Sequence, residues 1–142
     1  MSKRMYSLVC MMMSVVLLFS MNVWSGAVVS AEETTVQPRF SYTNYTATAM
    51  TLTTSGVAYC TASAEGYDGI TTKIHIEMKL QKYTVLWWSA VETWEGTFYG
   101  VDAILSEAAN ISSGKYRVKA VYTVYSGSNS EKITGTSQED TL

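Results

Sequence analysis

The chain has 142 residues, 47% of them hydrophobic and 15% charged, which suits one globular domain and leaves no room for a second. Its 10 Lys and Arg against 12 Asp and Glu give a net charge of −2. That is the wrong sign for general nucleic-acid binding, which needs a dominating positive field.

The first residues read as a targeting segment. Lys3 and Arg4 give a basic start, Leu8 to Phe19 an apolar run, and Val29-Ser30-Ala31 the small residues that a signal peptidase reads. This is the three-part layout of a secretory signal peptide. Ser14, Ser20, Asn22 and Ser25 interrupt the stretch, which argues against a retained membrane anchor. Cleavage is therefore expected near Ala31, with residues 1–31 removed and the remainder secreted, free of the membrane. What remains holds 8 Lys and Arg against 12 Asp and Glu, a net charge near −4. It keeps one cysteine, Cys60, so an internal disulfide is excluded, and a domain of about 110 residues can bury a sufficient core without one. Export without disulfides fits a Gram-positive bacterium better than an animal secretory pathway.

Glu32 to Pro38 is polar and aperiodic, a flexible leader. Arg39 to Thr54, rich in Thr and Tyr with Met50 and Leu52 as its apolar pair, predicts a first strand interrupted near Tyr45. Val57 to Ala64 alternates, with Ala58, Cys60, Ala62 and Ala64 on one face. Ile70 to Lys82 alternates most strongly: Ile74, Ile76, Met78 and Leu80 point one way, Lys73, His75, Glu77, Lys79 and Gln81 the other. In Leu86 to Trp94 the period is not clean, and Trp87, Trp88, Val91 and Trp94 would also line one side of a short helix. A bulged strand is favoured, because neither end carries a helix cap and Gly96 closes it early. Val101 to Ile111 alternates with Glu107 as the exception. Gly114 to Tyr125 places Tyr116, Val118, Ala120, Tyr122 and Val124 on an inner face and Lys115, Arg117 and Lys119 outside. Glu131 to Ser137 reads as a last, polar strand, and residues 138–142 as a polar tail. About seven short strands at such spacings predict an all-β, antiparallel two-sheet sandwich over residues 39–137.

The pattern Gly114-x-Tyr116-x-Val118-x-Ala120 resembles the tyrosine-corner strand of immunoglobulin and fibronectin type III folds. That resemblance implies an immunoglobulin-like sandwich in which the Tyr116 hydroxyl bonds back to the connection before it. Cys60 and Val118 would take the two core positions that antibody domains bridge, without the bridge, and the third strand lacks the expected Trp. A closer resemblance, to an uncharacterised family of small secreted proteins of clostridia and related Firmicutes, runs through Arg39-Phe40-Ser41-Tyr42, Ser55-Gly56-x-Ala58-x-Cys60, Leu80-Gln81-Lys82, Trp88-x-x-Val91-x-x-Trp94 and Gly114-x-Tyr116-Arg117-Val118-Lys119. It implies export and a sandwich, and supplies no catalytic residues.

No catalytic role is expected of the remaining groups. His75 is the only histidine and sits on a polar strand face. A Cys60–His75 nucleophile and base is opposed by parity, which sends the thiol inward and the imidazole outward. Glu92, Glu95, Asp102 and Glu107 offer carboxylates without a defined pair. No His or Cys cluster suggests zinc, Glu65 and Asp68 read as turn chemistry instead of a calcium loop, and no cofactor is implied. Tyr83, Trp87, Trp88, Trp94, Phe98 and Tyr99 could stack on sugar rings, although Trp88 and Trp94 are expected in the core, with Trp87 the candidate for exposure. If the third and sixth strands are neighbours, Lys73, Lys79, Lys115, Arg117 and Lys119 form a basic stripe on an acidic protein. The expected function is a non-catalytic binding module for an anionic cell-surface polymer or a carbohydrate. The alternative is a structural unit that pairs with another protein through an edge strand, the first or the last.

Overall fold

The computed structural model describes residues 40–142; the expected signal peptide, its cleavage at Ala31 and the leader lie outside these residues. The described chain runs through β1 (Thr43–Leu52), β2 (Val57–Gly66), β3 (Lys73–Thr84), β4 (Trp87–Tyr99), β5 (Asp102–Asn110), β6 (Lys115–Ser126), β7 (Asn129–Thr136) and β8 (Asp140–Thr141). All pairings are antiparallel. The smaller sheet has the order β1-β2-β5, the larger β4-β3-β6-β7, with β8 against the start of β6. This is the antiparallel two-sheet β-sandwich that the alternation predicted. β4 lies beside β3 and not beside β5.

The period-two faces become the core. Ala58, Cys60, Ala62, Ala64 and Ala103 from the smaller sheet meet Ile74, Ile76, Met78, Leu80, Tyr116, Val118, Ala120, Tyr122, Val124 and Ile133 from the larger, all buried. The Tyr116 hydroxyl donates to the Ser112 carbonyl at 2.8 Å, the corner that the resemblance implied. Deeper in the core, Tyr122 donates to the Ala47 carbonyl at 2.6 Å and accepts from Thr48 Oγ1 at 2.7 Å. One large side chain of β6 thus fills the core and ties its sheet to β1. Burial pushes the Tyr122 phenol up from its ordinary range.

Two irregularities match the breaks in the sequence pattern. The β1–β2 register shifts between Thr43 and Tyr45. In β4, Glu92 pairs with Leu80 but Ala90 with Gln81, leaving Val91 as a bulged residue. The bulge reverses the parity of the strand, so Trp94, opposite Met78, packs against the core, while Trp88, opposite Tyr83, faces outward. Gly96 does not close this strand. It sits within it opposite Ile76, where a Cβ would come within 3.0 Å of the Phe98 ring.

The expected tail is also structured. Ser137 is buried; its hydroxyl accepts from Val118 N at 2.8 Å and donates to the Gln138 carbonyl at 2.8 Å. That exit brings β8 alongside Lys115 and Tyr116, and Leu142 N donates to Gly114 O at 3.0 Å.

Candidate functional site

Every Lys and Arg among the described residues, namely Lys73, Lys79, Lys82, Lys115, Arg117, Lys119 and Lys132, lies on a strand of the larger sheet; β1, β2 and β5 hold none. The β3–β6 register sets most of them side by side. Lys73 lies opposite Tyr125, His75 opposite Thr123, Glu77 opposite Val121, Lys79 opposite Lys119 and Gln81 opposite Arg117. The residues between these are the buried core positions, so this whole set points to the outer face. Lys115, at the start of β6, extends the same parity. Lys132 joins the face from β7, opposite Thr123. Its alternation against Ile133 was visible in the sequence, but the pairing that brings it here was not.

Contacts on this face differ from residue to residue. Lys79 bridges Glu77 at 2.6 Å, and that hydrogen bond, with the lysine's charge, holds the Glu77 carboxyl below its ordinary range. Lys115 bridges Glu139. The Lys73 ammonium lies 4.2 Å from the centre of the Tyr125 ring. Arg117 donates from Nε to Gln81 Oε1 at 2.9 Å while its guanidinium lies 4.2 Å over the Trp88 ring. Tyr83 tilts against the same indole, centroids 5.3 Å apart. Trp88, expected as a core filler, is therefore a half-exposed platform beneath a cation, because the Val91 bulge turned it outward. Trp87 stands 61% exposed at the β3–β4 hairpin, opposite Thr84. It is not part of the basic stripe.

The groups weighed for catalysis are dispersed. Cys60 is buried on the inner face of β2, where desolvation pushes its thiol up to about 11, the opposite of what a thiolate nucleophile needs. His75 is on the outer face of β3, its Nδ1 2.9 Å from Thr97 Oγ1. Glu107 pairs with Cys60 in register but remains exposed at a shallow opening of about 300 Å³ beside Tyr59, Thr61 and Ser106. Among the described residues no group of three or more His, Cys, Asp or Glu could hold a metal ion.

The two edges proposed for strand pairing are linked to each other. Glu131, on edge strand β7, accepts from the backbone N–H of Ser41 and of Tyr42 at 2.8 Å each and from Thr43 Oγ1 at 2.7 Å. A charged side chain turned inward on an edge strand discourages addition of a further strand. No known family model matches the chain, and no curated protein is similar to it in sequence.

Proposed function

We propose that the protein is a secreted, non-catalytic module that binds an anionic polymer of the cell surface, of the teichoic-acid or acidic-polysaccharide type, along the outer face of β3 and β6. The resemblance to small exported Firmicutes proteins supports the location. The observation that carries the ligand class is the direct opposition of Lys79 and Lys119 on a sheet that gathers all seven described basic residues. Like charges directly opposite across a strand pair are unfavourable, and an anion between them turns that repulsion into attraction. Arg117, held flat by Trp88 and Gln81, adds a fork suited to a phosphate or carboxylate. Exposed Tyr83 and Trp87 supply adjacent surfaces on which a sugar ring can stack.

The test is retention of the chain from Glu32 onward on purified cell walls at low and at high salt. Retention should fall steeply with ionic strength, and reversal of Lys115, Arg117 and Lys119 to Glu should abolish it. Salt-insensitive retention, or retention unaffected by the triple reversal, would overturn the proposal. Edge-strand pairing is the second reading; sedimentation showing a dimer that Glu131→Ala strengthens would favour it.

A further inference from the structure

The β3–β4 hairpin carries an exposed apolar tip that the basic face does not use. Val85 and Leu86 connect Thr84 to Trp87 as a two-residue turn, 85% and 77% exposed. Val85 has φ 54°, a left-handed conformation that a β-branched residue adopts only at a steric cost. Turns of this length normally place Gly or Asn there, so a valine held in that conformation and fully in solvent serves neither the turn nor the core.

The order of residues away from the tip is informative. Two aliphatic residues come first, then Trp87 opposite Thr84, then Tyr83 opposite Trp88, then Lys82 opposite Ser89 and Tyr116, then Arg117 opposite Gln81. At about 3.3 Å per residue the cations lie roughly 10–14 Å behind the tip, Arg117 over Trp88 on the outer face and Lys82 on the other, where its ammonium donates to Ser112 Oγ and the Ser113 carbonyl at 2.8 Å each. No acid occurs between Glu77 and Glu92; on the far side of β6, Asp140 lies opposite Tyr116, level with Lys82, and Glu139 is bridged to Lys115. Aliphatic tip, aromatic belt, cationic collar: this is the sequence of environments from hydrocarbon through interface to headgroup that a bilayer presents over its outer 5–10 Å and just beyond. A narrow convex tip also matches insertion between lipids better than a flat protein patch, which would need a wide complementary area.

We propose that the Tyr83–Trp88 hairpin inserts into the surface of an anionic lipid bilayer, with Val85 and Leu86 in the acyl region and Lys82 and Arg117 at the headgroups. Val85 and Leu86 take no part in polymer binding on the sheet face, although Arg117, Tyr83 and Trp87 would serve both.

The experiment is co-sedimentation of the chain from Glu32 onward with phosphatidylcholine vesicles, with and without about one-third phosphatidylglycerol, together with tryptophan emission. Residues Pro38–Leu142 form a compact unit by themselves, so this species retains the hairpin. Binding to the mixed vesicles with a blue shift of emission is the expected result, at least about tenfold stronger than to phosphatidylcholine alone, since each surface cation contributes roughly a factor of five. Leu86→Asp should reduce vesicle binding by more than tenfold and leave cell-wall retention unchanged. Val85→Gly should raise the melting temperature by relieving the turn while also weakening vesicle binding, which separates loss of binding from loss of fold. Absence of binding to either vesicle, binding unaffected by Leu86→Asp, or a self-associated protein that Leu86→Asp makes monomeric would each overturn the proposal.

Discussion

The inward face of the smaller sheet is built from Ala58, Cys60, Ala62, Ala64 and Ala103, whereas the larger sheet presents Ile74, Ile76, Met78, Leu80, Tyr116 and Tyr122 across the same gap. Outside, the contrast is one of charge. The smaller sheet shows Thr, Ser, Ala and a few exposed apolar residues such as Tyr59 and Ile104 with no cation, and the larger sheet collects all the described cations. Two packed sheets share an interlayer distance of about 10 Å, so bulk on one side requires economy on the other. Alanines on β2 leave room for the bulk of the larger sheet, Tyr116 and Tyr122 included, and Tyr122 reaches across to Ala47 and Thr48 of β1. Their aromatic bulk in turn gives the larger sheet a firm inner layer against which its outer side chains are held in register. The sheet that supplies most of the core also carries the candidate binding face.

The largest effects should come from disturbing that complementarity. Ile76→Ala removes large-sheet bulk that no neighbour can replace and should cost about 2–5 kcal/mol, measured by urea unfolding. Ala62→Leu tests the other side: overpacking against the tyrosines should cost about 1–3 kcal/mol. If Ala62→Leu is neutral, the smaller sheet is not the tight partner described here. The reverse asymmetry, a larger loss at Ala62 than at Ile76, would break the comparison altogether.

A smaller effect isolates the corner. Tyr116→Phe keeps the ring in the core and removes only the bond to the Ser112 carbonyl, and should cost about 1 kcal/mol with no change in the slope of ΔG against urea. The carbonyl left behind belongs to Ser112, an exposed loop residue, and can recruit water instead. A loss nearer that of Ile76→Ala would mean that the Ser112–Gly114 connection itself comes apart.

Most of this architecture was legible in the sequence, because each face is written as strict alternation. The inner sets of β2, β3 and β6 and the break near Tyr45 could be read from it, while the Tyr116 bond was implied only by the resemblance of Gly114-x-Tyr116-x-Val118-x-Ala120 to a tyrosine corner. What was not legible depended on one inserted residue and on pairings between distant strands. Trp88 could be placed only after the Val91 bulge had reversed the parity of β4, and propensity says nothing about where a bulge falls. The turn at Val85-Leu86 lacks the Gly or Asn that announces a tight hairpin, so its protruding tip had no sequence mark. Lys132 joined the basic face only through the β6–β7 register. Residues 138–142 looked like a tail because a two-residue strand, secured mainly by Ser137 and the Gly114 backbone, is too short for a period.

The smallest expected effect bears most directly on the charged face. Glu77 is only partly covered, and its bridge to Lys79 is worth no more than about 0.5 kcal/mol, so Glu77→Gln should barely shift stability at neutral pH. The direction with pH is nonetheless defined. The folded-state carboxyl is depressed by Lys79, so its contribution is complete above the ordinary glutamate range and fades as pH falls through the depressed value. Glu77→Gln should remove that acid-side component and leave Lys79 facing Lys119 without a counter-charge. Adding Lys119→Thr to Glu77→Gln should then recover stability at low salt, and the recovery should vanish at high salt, where the repulsion is screened. If the double variant is no more stable than Glu77→Gln alone, the two lysines do not strain each other. An anion seated between them would then relieve nothing, and the polymer would have to bind through Arg117 and Lys115 instead.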